Sequence, residues 1–443
     1  MTRVSFLGAG YVGLVTALCF ADRGFDVTVA DYDATRIDSI MRGEIPFYEA
    51  GLEELLGRAA SSGRFRCTTD TQEAIHDTEI SFITVGTPSL EDGRIDLTYV
   101  EECAKEIGVA LGRKKEYHLV VVKSTVVPGT TMGIVMRTLE AESKKAAGKD
   151  FGLCMNPEFL AEGAAIRDTF NPDRVVIGGI DDRSTAMLEE VFKKFYGEKC
   201  PPIVKTTPST AEMTKYASNS FLAAKVSLIN EIANICELTP GVDVCIVAKG
   251  VGLDKRIGER FLRAGVGFGG SCFKKDVQAL AFHAESRGYR PILLGGVLKV
   301  NEWQAKHVVE VAERVLGSLA GRRVAVLGLS FKPETDDMRE APSIKIIQGL
   351  LRRRAVVAAY DPRASRNAKA IFGDQIELTS SAKDALKEAD CCILVTEWEE
   401  FKRLRPRDFL ESMKNPLLID GRRLFDKDEF GEALKYVGIG LGP

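Results

Sequence analysis

The chain has 443 residues, with 60 Lys and Arg against 63 Asp and Glu, a net charge of −3 and 45% hydrophobic residues. That length suits two or three domains, and the near balance of charge gives no sign of a nucleic-acid partner. No apolar run is long enough to span a membrane, and the opening Met1-Thr-Arg-Val-Ser-Phe-Leu7 runs straight into a strand pattern with no signal peptide, so a cytoplasmic protein is expected.

The ten cysteines are scattered, with no CxxC pair. Cys19, Cys154, Cys236, Cys391 and Cys392 fall in apolar segments and read as reduced core residues. With only four histidines, no His-based metal site or triad is expected, and no metal is assigned.

From the start, residues 3–31 read strand, tight turn, helix, strand. Val4-Ser-Phe-Leu7 leads into Gly8-Ala-Gly-Tyr-Val-Gly13, an apolar helix follows, and Asp26-Val-Thr-Val-Ala-Asp31 closes the unit. A GxGxxG between strand and helix, with an acid ending the second strand, is a dinucleotide-binding pattern. Gly8, Gly10 and Gly13 allow the turn and the approach of a pyrophosphate, with Tyr11 and Val12 opening the helix whose N-terminus faces the phosphates. Asp31 would accept hydrogen bonds from the adenosine ribose and repel a 2'-phosphate, which favours NAD. Arg36, close behind, could instead meet a phosphate.

The doubly wound pattern continues. Ile80-Ser-Phe-Ile-Thr-Val85 and His118-Leu-Val-Val-Val-Lys123 are strands, followed by Gly86-Thr-Pro-Ser89 and Ser124-Thr-Val-Val-Pro-Gly-Thr130. Ligands in such sheets bind beyond the carboxyl ends of strands, so Thr87, Ser124 and Thr125 are candidates to face the nicotinamide. Phe151-Gly-Leu-Cys-Met155 opens onto Asn156-Pro-Glu-Phe-Leu-Ala-Glu-Gly163, where Glu158 and Glu162 would share a face if a helical turn forms. Arg174-Val-Val-Ile-Gly178 is expected to complete the strands of this domain.

From Thr207 the pattern changes. Ser209-Thr-Ala-Glu212 reads as a capping box, and an apolar-periodic helix without Gly or Pro runs to about Leu238. It carries Lys215 and Asn219 at i, i+4, and is long enough to join two domains and to pair with a copy of itself. A second helical segment from about Pro291 to Leu319 is expected beside it.

Between them lies Gly265-Val-Gly-Phe-Gly-Gly-Ser-Cys-Phe-Lys-Lys-Asp276, a glycine-rich loop that turns into a helix at Cys272. Amides at a helix N-terminus stabilise an anion, so the thiol there loses its proton more readily. Lys274 and Lys275 push the same way.

Arg322-Arg-Val-Ala-Val-Leu-Gly328 starts a second α/β unit, continued by Val356-Val-Ala-Ala-Tyr360, Asp390-Cys-Cys-Ile-Leu-Val395 and Pro416-Leu-Leu-Ile-Asp420. Its turn, Gly328-Leu-Ser-Phe-Lys332, lacks GxGxxG. Lys332 is either a replacement phosphate partner for a different nucleotide or a plain surface charge, and Arg422 lies at a strand end on the same side.

The fold class expected is α/β, two Rossmann-like doubly wound domains joined by a long central helix. The boundaries are 1–206 for NAD, 207–318 for the helical dimerisation region and 319–443 for the second nucleotide-binding unit.

Taken together, Gly8-Ala-Gly-Tyr-Val-Gly13, Ser124-Thr-Val-Val-Pro-Gly-Thr130, Asn156-Pro-Glu-Phe-Leu160, Gly267-Phe-Gly-Gly-Ser-Cys-Phe273 and Phe331-Lys332 resemble the nucleotide-sugar 6-dehydrogenases over essentially the whole chain. These enzymes act on UDP-glucose, GDP-mannose or UDP-N-acetylmannosamine. The resemblance implies a four-electron oxidation of a primary alcohol to a carboxylate with two NAD and one water. Cys272 matches the nucleophile, passing through a thiohemiacetal and a thioester. Lys215 and Asn219 match groups that hold developing charge on oxygen. Asp276 and Thr125 match positions that orient water, and Glu158 matches an acid–base residue with Glu162 near it.

The resemblance also puts Lys275, Glu162 and Arg339 toward the cofactor. Phe159, Leu160, Phe261, Phe268, Gly269, Phe331, Lys332 and Arg422 fall toward the nucleotide sugar. Arg256 matches an arginine supplied by a neighbouring subunit, which implies a homodimer or higher homo-oligomer. The Gly-Gly-Ser-Cys-Phe form resembles the UDP-glucose branch, whose product is UDP-glucuronate, although Lys274 stands where many relatives have Pro or Gln. Without the resemblance, a Lys and Asn on a central helix also suit a two-electron dehydrogenase of the hydroxyacid type, in which Cys272 is incidental. A non-catalytic sensor on the same fold is a third reading.

Overall fold

The first strand, β1 (Arg3–Leu7), is buried at every position after Arg3, as an alternation-free apolar run in a parallel sheet requires. In the computed structural model, which describes residues 2–443, the chain divides into two units, Met1–Ser218 and Asn219–Pro443.

The first unit is built on one sheet. After β1 come β2 (Asp26–Ala30), β3 (Phe65–Thr68), β4 (Ile80–Ile83), β5 (His118–Val122), β6 (Phe151–Met155), β7 (Val175–Gly179) and β8 (Ile203–Thr206). Their order across the sheet is β3-β2-β1-β4-β5-β6-β7-β8, and all pairs are parallel except β6 with β7. The order reverses between β1 and β4, the crevice where ligands bind in doubly wound folds.

The turn after β1 is forced by its glycines. Gly8 has φ +110, and a Cβ there would meet the Thr84 backbone at 2.9 Å. A Cβ on Gly13 would lie 1.9 Å from the Gly8 carbonyl oxygen. The helix Tyr11–Asp22 therefore packs against the strand ends more closely than any side chain permits. Beneath it Phe6 stacks on Phe82 at 4.8 Å, with Phe20 edge-on to both. Each such ring, once buried, contributes about 2–3 kcal/mol.

Two local expectations are corrected here. The strands of this unit do not end near residue 178: the short β8, half-exposed at its ends and with Lys205 within it, follows as an edge strand. The capping box at Ser209 does not form either. The long helix starts at Pro208, where Thr207 Oγ1 accepts Thr210 N, and Glu212 turns its carboxylate elsewhere, to Gly129 N (2.6 Å) and Thr131 N (2.7 Å).

The helix Pro208–Cys236 carries the chain from one unit into the next. In the second unit it is followed by Val244–Gly252, Phe273–Glu285 and the long Ile292–Leu316. Ile292–Leu316 lies beside it as expected: Ser227 Oγ donates to Val297 O (2.9 Å) and Asn234 Nδ2 to Gln304 Oε1 (2.8 Å).

A second sheet then contains β9 (Arg323–Leu327), β10 (Val356–Tyr360), β11 (Glu377–Leu378), β12 (Cys391–Leu394), β13 (Leu417–Asp420) and β14 (Lys435–Gly438). Its order is β11-β10-β9-β12-β13-β14, all parallel, with the reversal between β9 and β12. No disulfide is present among the described residues, and no helix among them is long and apolar enough to cross a membrane.

Candidate active site

In the first unit the predicted residues gather at the carboxyl ends of the strands. The helix Tyr11–Asp22 has Gly10 as its N-cap, with no side chain capping its amides. Nothing lies within 4 Å of a Cβ built on Gly10, so the uncapped amides open onto space of the kind a pyrophosphate requires. Asp31, only 5% exposed, ends β2. Its carboxylate accepts Ala9 N (2.7 Å), Asp33 N (3.0 Å) and Arg36 Nη1 (2.9 Å). Arg36 is thus committed to Asp31 and is not turned outward to a phosphate. A carboxylate has about four acceptor positions, so one remains for a ribose hydroxyl. An open helix start and a strand-end acid together fit NAD.

Beyond β4 and β5, Ser124 Oγ donates to Val85 O (2.7 Å) and Thr87 Oγ1 to Thr125 O (2.9 Å). These bonds hold the two strand-end loops together. After β6 no helical turn forms across Glu158 and Glu162; the segment is irregular and closes in a turn at Glu162-Gly163, so the two carboxylates do not share a helix face. Glu158 instead accepts Leu160 N (2.9 Å) and pairs with Lys215 at 2.8 Å, with both side chains at least nine-tenths buried. Phe159 lies beneath the Arg174 guanidinium at 3.9 Å, with Lys215 Nζ 5.5 Å from its ring.

Two residues that the sequence did not single out support this arrangement. Lys123 Nζ donates to Asn156 Oδ1 (3.0 Å), and Asn156 Nδ2 donates to Val176 O (2.8 Å), which fixes the start of the Glu158 segment. Burial pushes the Lys123 amine down to about 8, opposed by Glu158 and reinforced by Lys215.

In the second unit the helix Phe273–Glu285 has Cys272 as its N-cap, and Cys272 is exposed. Asp276, one turn on and 1% exposed, accepts Asn219 Nδ2 (2.6 Å) and Lys275 Nζ (2.7 Å). Lys274 pairs with Glu340 at 2.8 Å. Both lysines expected to acidify the thiol are therefore paired with carboxylates, and the helix start at Cys272 remains beside them as an anion-stabilising feature.

The loop before Cys272 is pinned by Asn301, a residue with no sequence signal: Phe268 N donates to its Oδ1 (2.7 Å) and its Nδ2 donates to Phe268 O (3.0 Å). Gly270 N donates to Arg339 O (2.9 Å), and a Cβ on Gly269 would lie 2.9 Å from the Phe331 side chain. Phe268 and Phe261 flank the Phe273 ring at 5.7 and 6.2 Å.

Lys332 is half-buried with its Nζ 5.5 Å from the Phe331 ring, and Arg339 pairs with Asp337 at 2.7 Å. Arg422 Nε donates to Val395 O (2.7 Å) and lies 3.3 Å from Glu397, so it also braces the end of β12. Arg256 pairs only locally, with Asp254 at 2.6 Å, and its side chain is 89% exposed.

A basic cleft of about 570 Å³ lined by Arg113, Lys115, Lys145, Lys149 and Arg183 lies apart from these residues, at the amino ends of β5 and β6. Part of its charge serves the fold: Lys145 caps the Lys114 carbonyl and Arg183 covers the Tyr117 ring at 3.4 Å.

Residues 2–196, 209–303 and 325–427 match, in turn, the NAD binding, central and UDP binding domains of the UDP-glucose/GDP-mannose dehydrogenase family. The UDP-glucose 6-dehydrogenase TuaD of Bacillus subtilis is 43% identical over 442 residues, covering 100% of this chain and 93% of the relative. The UDP-glucose 6-dehydrogenase AglM of Haloferax volcanii is 44% identical, covering 96% of this chain and 98% of its own. A solved UDP-glucose dehydrogenase from the hyperthermophilic archaeon Pyrobaculum islandicum is 40% identical, with a TM-score of 0.92 over 100% of this chain and 98% of the other.

Proposed function

The chain belongs to the UDP-glucose/GDP-mannose dehydrogenase family, as an NAD-dependent oxidoreductase, and we propose that it oxidises UDP-glucose to UDP-glucuronate. NAD, when bound at the glycine turn, takes up the hydride lost in each of the two oxidation steps. Everything else falls to the chain's own side chains.

Cys272 attacks the aldehyde carbon; a C–S bond forms, the carbonyl oxygen takes a proton, and a thiohemiacetal results. Oxidation of that carbon gives a thioester. Water adds, the C–S bond breaks and the thiolate leaves with its electron pair. Covalent capture keeps the aldehyde bound between the two oxidations and splits a hard step into easier ones. Lys215 and Asn219 stabilise negative charge on the reacting oxygen. Glu158, beside Lys215, moves the proton, and Asp276 with Thr125 orients the water.

The observation that supports this most is the exposed Cys272 at a helix start, one turn before a buried Asp276 held by Asn219 and Lys275. Phe331, Lys332 and Arg422 serve the nucleotide half of the substrate, with Phe268 and Gly269. Phe159, Leu160, Glu162 and Phe261 take the sugar side. The working division is 1–206 for NAD, 207–318 for dimerisation and 319–443 for the UDP-sugar, in a cytoplasmic homodimer or higher homo-oligomer to which each subunit lends Arg256.

The test is a panel of UDP-glucose, GDP-mannose and UDP-N-acetylmannosamine with NADH counted against product. UDP-glucose is expected to have the highest kcat/KM, to give two NADH per sugar and to release no aldehyde, while Cys272→Ala forms no acid. One NADH with free aldehyde would return the chain to the two-electron class. A better GDP-mannose or UDP-N-acetylmannosamine rate would overturn the substrate alone.

A further inference from the structure

One buried carboxylate of the first unit has no part in the roles above. Glu49 is 6% exposed and lies in the loop between the helices Ala34–Met41 and Leu52–Ser61. Its carboxylate accepts the Tyr11 hydroxyl, Gly163 N (2.7 Å) and Ala165 N (2.8 Å). Gly163 N also lies 3.0 Å from the Tyr11 hydroxyl oxygen. Burial, with Glu49 as neighbour, pushes the Tyr11 hydroxyl well above its ordinary pKa, so it remains a donor. A buried anion held by dipoles alone is stable only while those donors stay in place.

The donors come from two places that the proposed reaction uses separately. Tyr11 is the first helical residue of the glycine turn. Gly163 directly follows Glu162, and Ala165 opens the helix Ala165–Phe170. The irregular segment that carries Glu158 is fixed at its start by Lys123 and Asn156. At its other end the fixing group is Glu49. A single carboxylate thus joins the cofactor turn to the segment bearing Glu158 and Glu162.

We propose that Glu49 is a positioning residue: through Tyr11 and the amides of Gly163 and Ala165 it holds the Glu158–Glu162 segment in register with the cofactor turn. This rests on the roles given above to Glu158 and Glu162. Its consequence is a hydroxyl inside the cofactor motif whose loss is felt in turnover rather than in cofactor affinity.

Tyr11→Phe, Glu49→Gln and the double variant test it, with Glu158→Gln as reference. Gln keeps one acceptor but points an NH₂ at donors. Amide hydrogen exchange near Gly163 and Ala165 should rise about tenfold or more in both single variants while β1 and β4 stay unchanged, the scale of one lost hydrogen bond. The kcat for UDP-glucose should fall about fivefold or more while the NAD Kd, read by fluorescence quenching, moves by less than about threefold. The double variant should be no worse than Glu49→Gln alone, since both remove one joint.

Exchange that rises across the whole unit, with NAD affinity falling in step, would make Glu49 a mere fold residue and overturn the proposal. So would a Tyr11→Phe protein with wild-type kcat and exchange, and that variant decides the matter if Glu49→Gln does not fold. An impaired Glu158→Gln beside an unaffected Tyr11→Phe sinks the proposal alone. A fully active Glu158→Gln sinks the reading of the segment, and the proposal with it.

Discussion

The proton on His118 can be assigned from its neighbours. Lys114 Nζ lies 3.0 Å from His118 Nδ1, and His118 Nε2 lies 2.8 Å from Ser81 Oγ. An ammonium only donates, so Nδ1 accepts and the proton sits on Nε2. Burial, with Lys114 close by, pushes the imidazole down to about 3 from an ordinary 6.5. The unfolded chain therefore binds a proton between those values that the folded chain does not, and the fold loses stability as pH drops through that window. The loss is on the order of 5 kcal/mol at full extent. His118→Gln, neutral and able to accept and donate in the same directions, should flatten the dependence of the urea midpoint on pH between about 6.5 and 4. An unchanged slope would contradict the assignment. At the cofactor turn, Asp31→Ala should release Arg36 from its 2.9 Å partner to meet a 2'-phosphate. The ratio of kcat/KM for NADP over NAD should rise by about tenfold or more, from lost ribose bonds and a gained ion pair. A ratio that stays put would mean that Arg36 does not reach the phosphate.

At the level of elements, Glu212 shows how a helix positions a loop. Its carboxylate, fully buried, takes the amides of Gly129 and Thr131 just where a π-helical turn, Thr131–Val135, begins. The loop after Thr125 is thereby fastened to the helix that carries Lys215. Glu212→Ala leaves the buried Thr131 amide and the more accessible Gly129 amide without their partner and should cost about 1–3 kcal/mol; a shift in thermal midpoint no larger than that of an exposed Glu231→Ala control would refute it. The interior strands β1, β2, β4, β5, β6, β7, β9, β10, β12 and β13 were legible because each is a mostly buried apolar run. The strands that passed unread, β3, β8, β11 and β14, are the four edges of the two sheets, short and half-exposed. With one face in water they have no apolar run to read. Site residues divide in a similar way. Gly8, Gly13 and Cys272 were visible because a turn or a helix start demands unusual residues there. Glu49, Glu212 and Asn301 were not, because their partners are backbone groups distant in sequence, and any polar residue looks the same until the fold brings those groups near.

At the scale of the whole molecule, the second unit leaves apolar surface that one copy does not cover. On the helix Pro208–Cys236, Phe221, Leu228 and Ile235 recur every seven residues and are 75%, 58% and 59% exposed. A seven-residue repeat keeps one stripe facing one way, and a stripe of large apolar side chains in water is costly unless covered. Arg256, proposed above to serve a neighbouring subunit, has its side chain 89% exposed. If each subunit lends Arg256 to the other, an Arg256→Ala protein and a Cys272→Ala protein are each inactive for different reasons. In a mixed dimer one site joins a wild-type Cys272 to a wild-type Arg256, while the other site lacks both. Random exchange of equal amounts makes half the dimers mixed, so about a quarter of wild-type activity should return. Subunits are mixed under mild denaturant, refolded and assayed by NADH production. Activity that stays at the level of the separate proteins, although mass spectrometry shows mixed dimers, would place Arg256 in its own subunit's site. A fully active monomer by light scattering would remove the exchange altogether. If a second copy covers this stripe, Phe221→Glu should weaken the pairing by about 2 kcal/mol or more, as charge replaces a ring that the partner would cover, and activity should then fall with dilution. Losing activity in step with dimer, at fixed NAD and substrate, is what distinguishes a site completed across subunits from one that merely sits in a dimer.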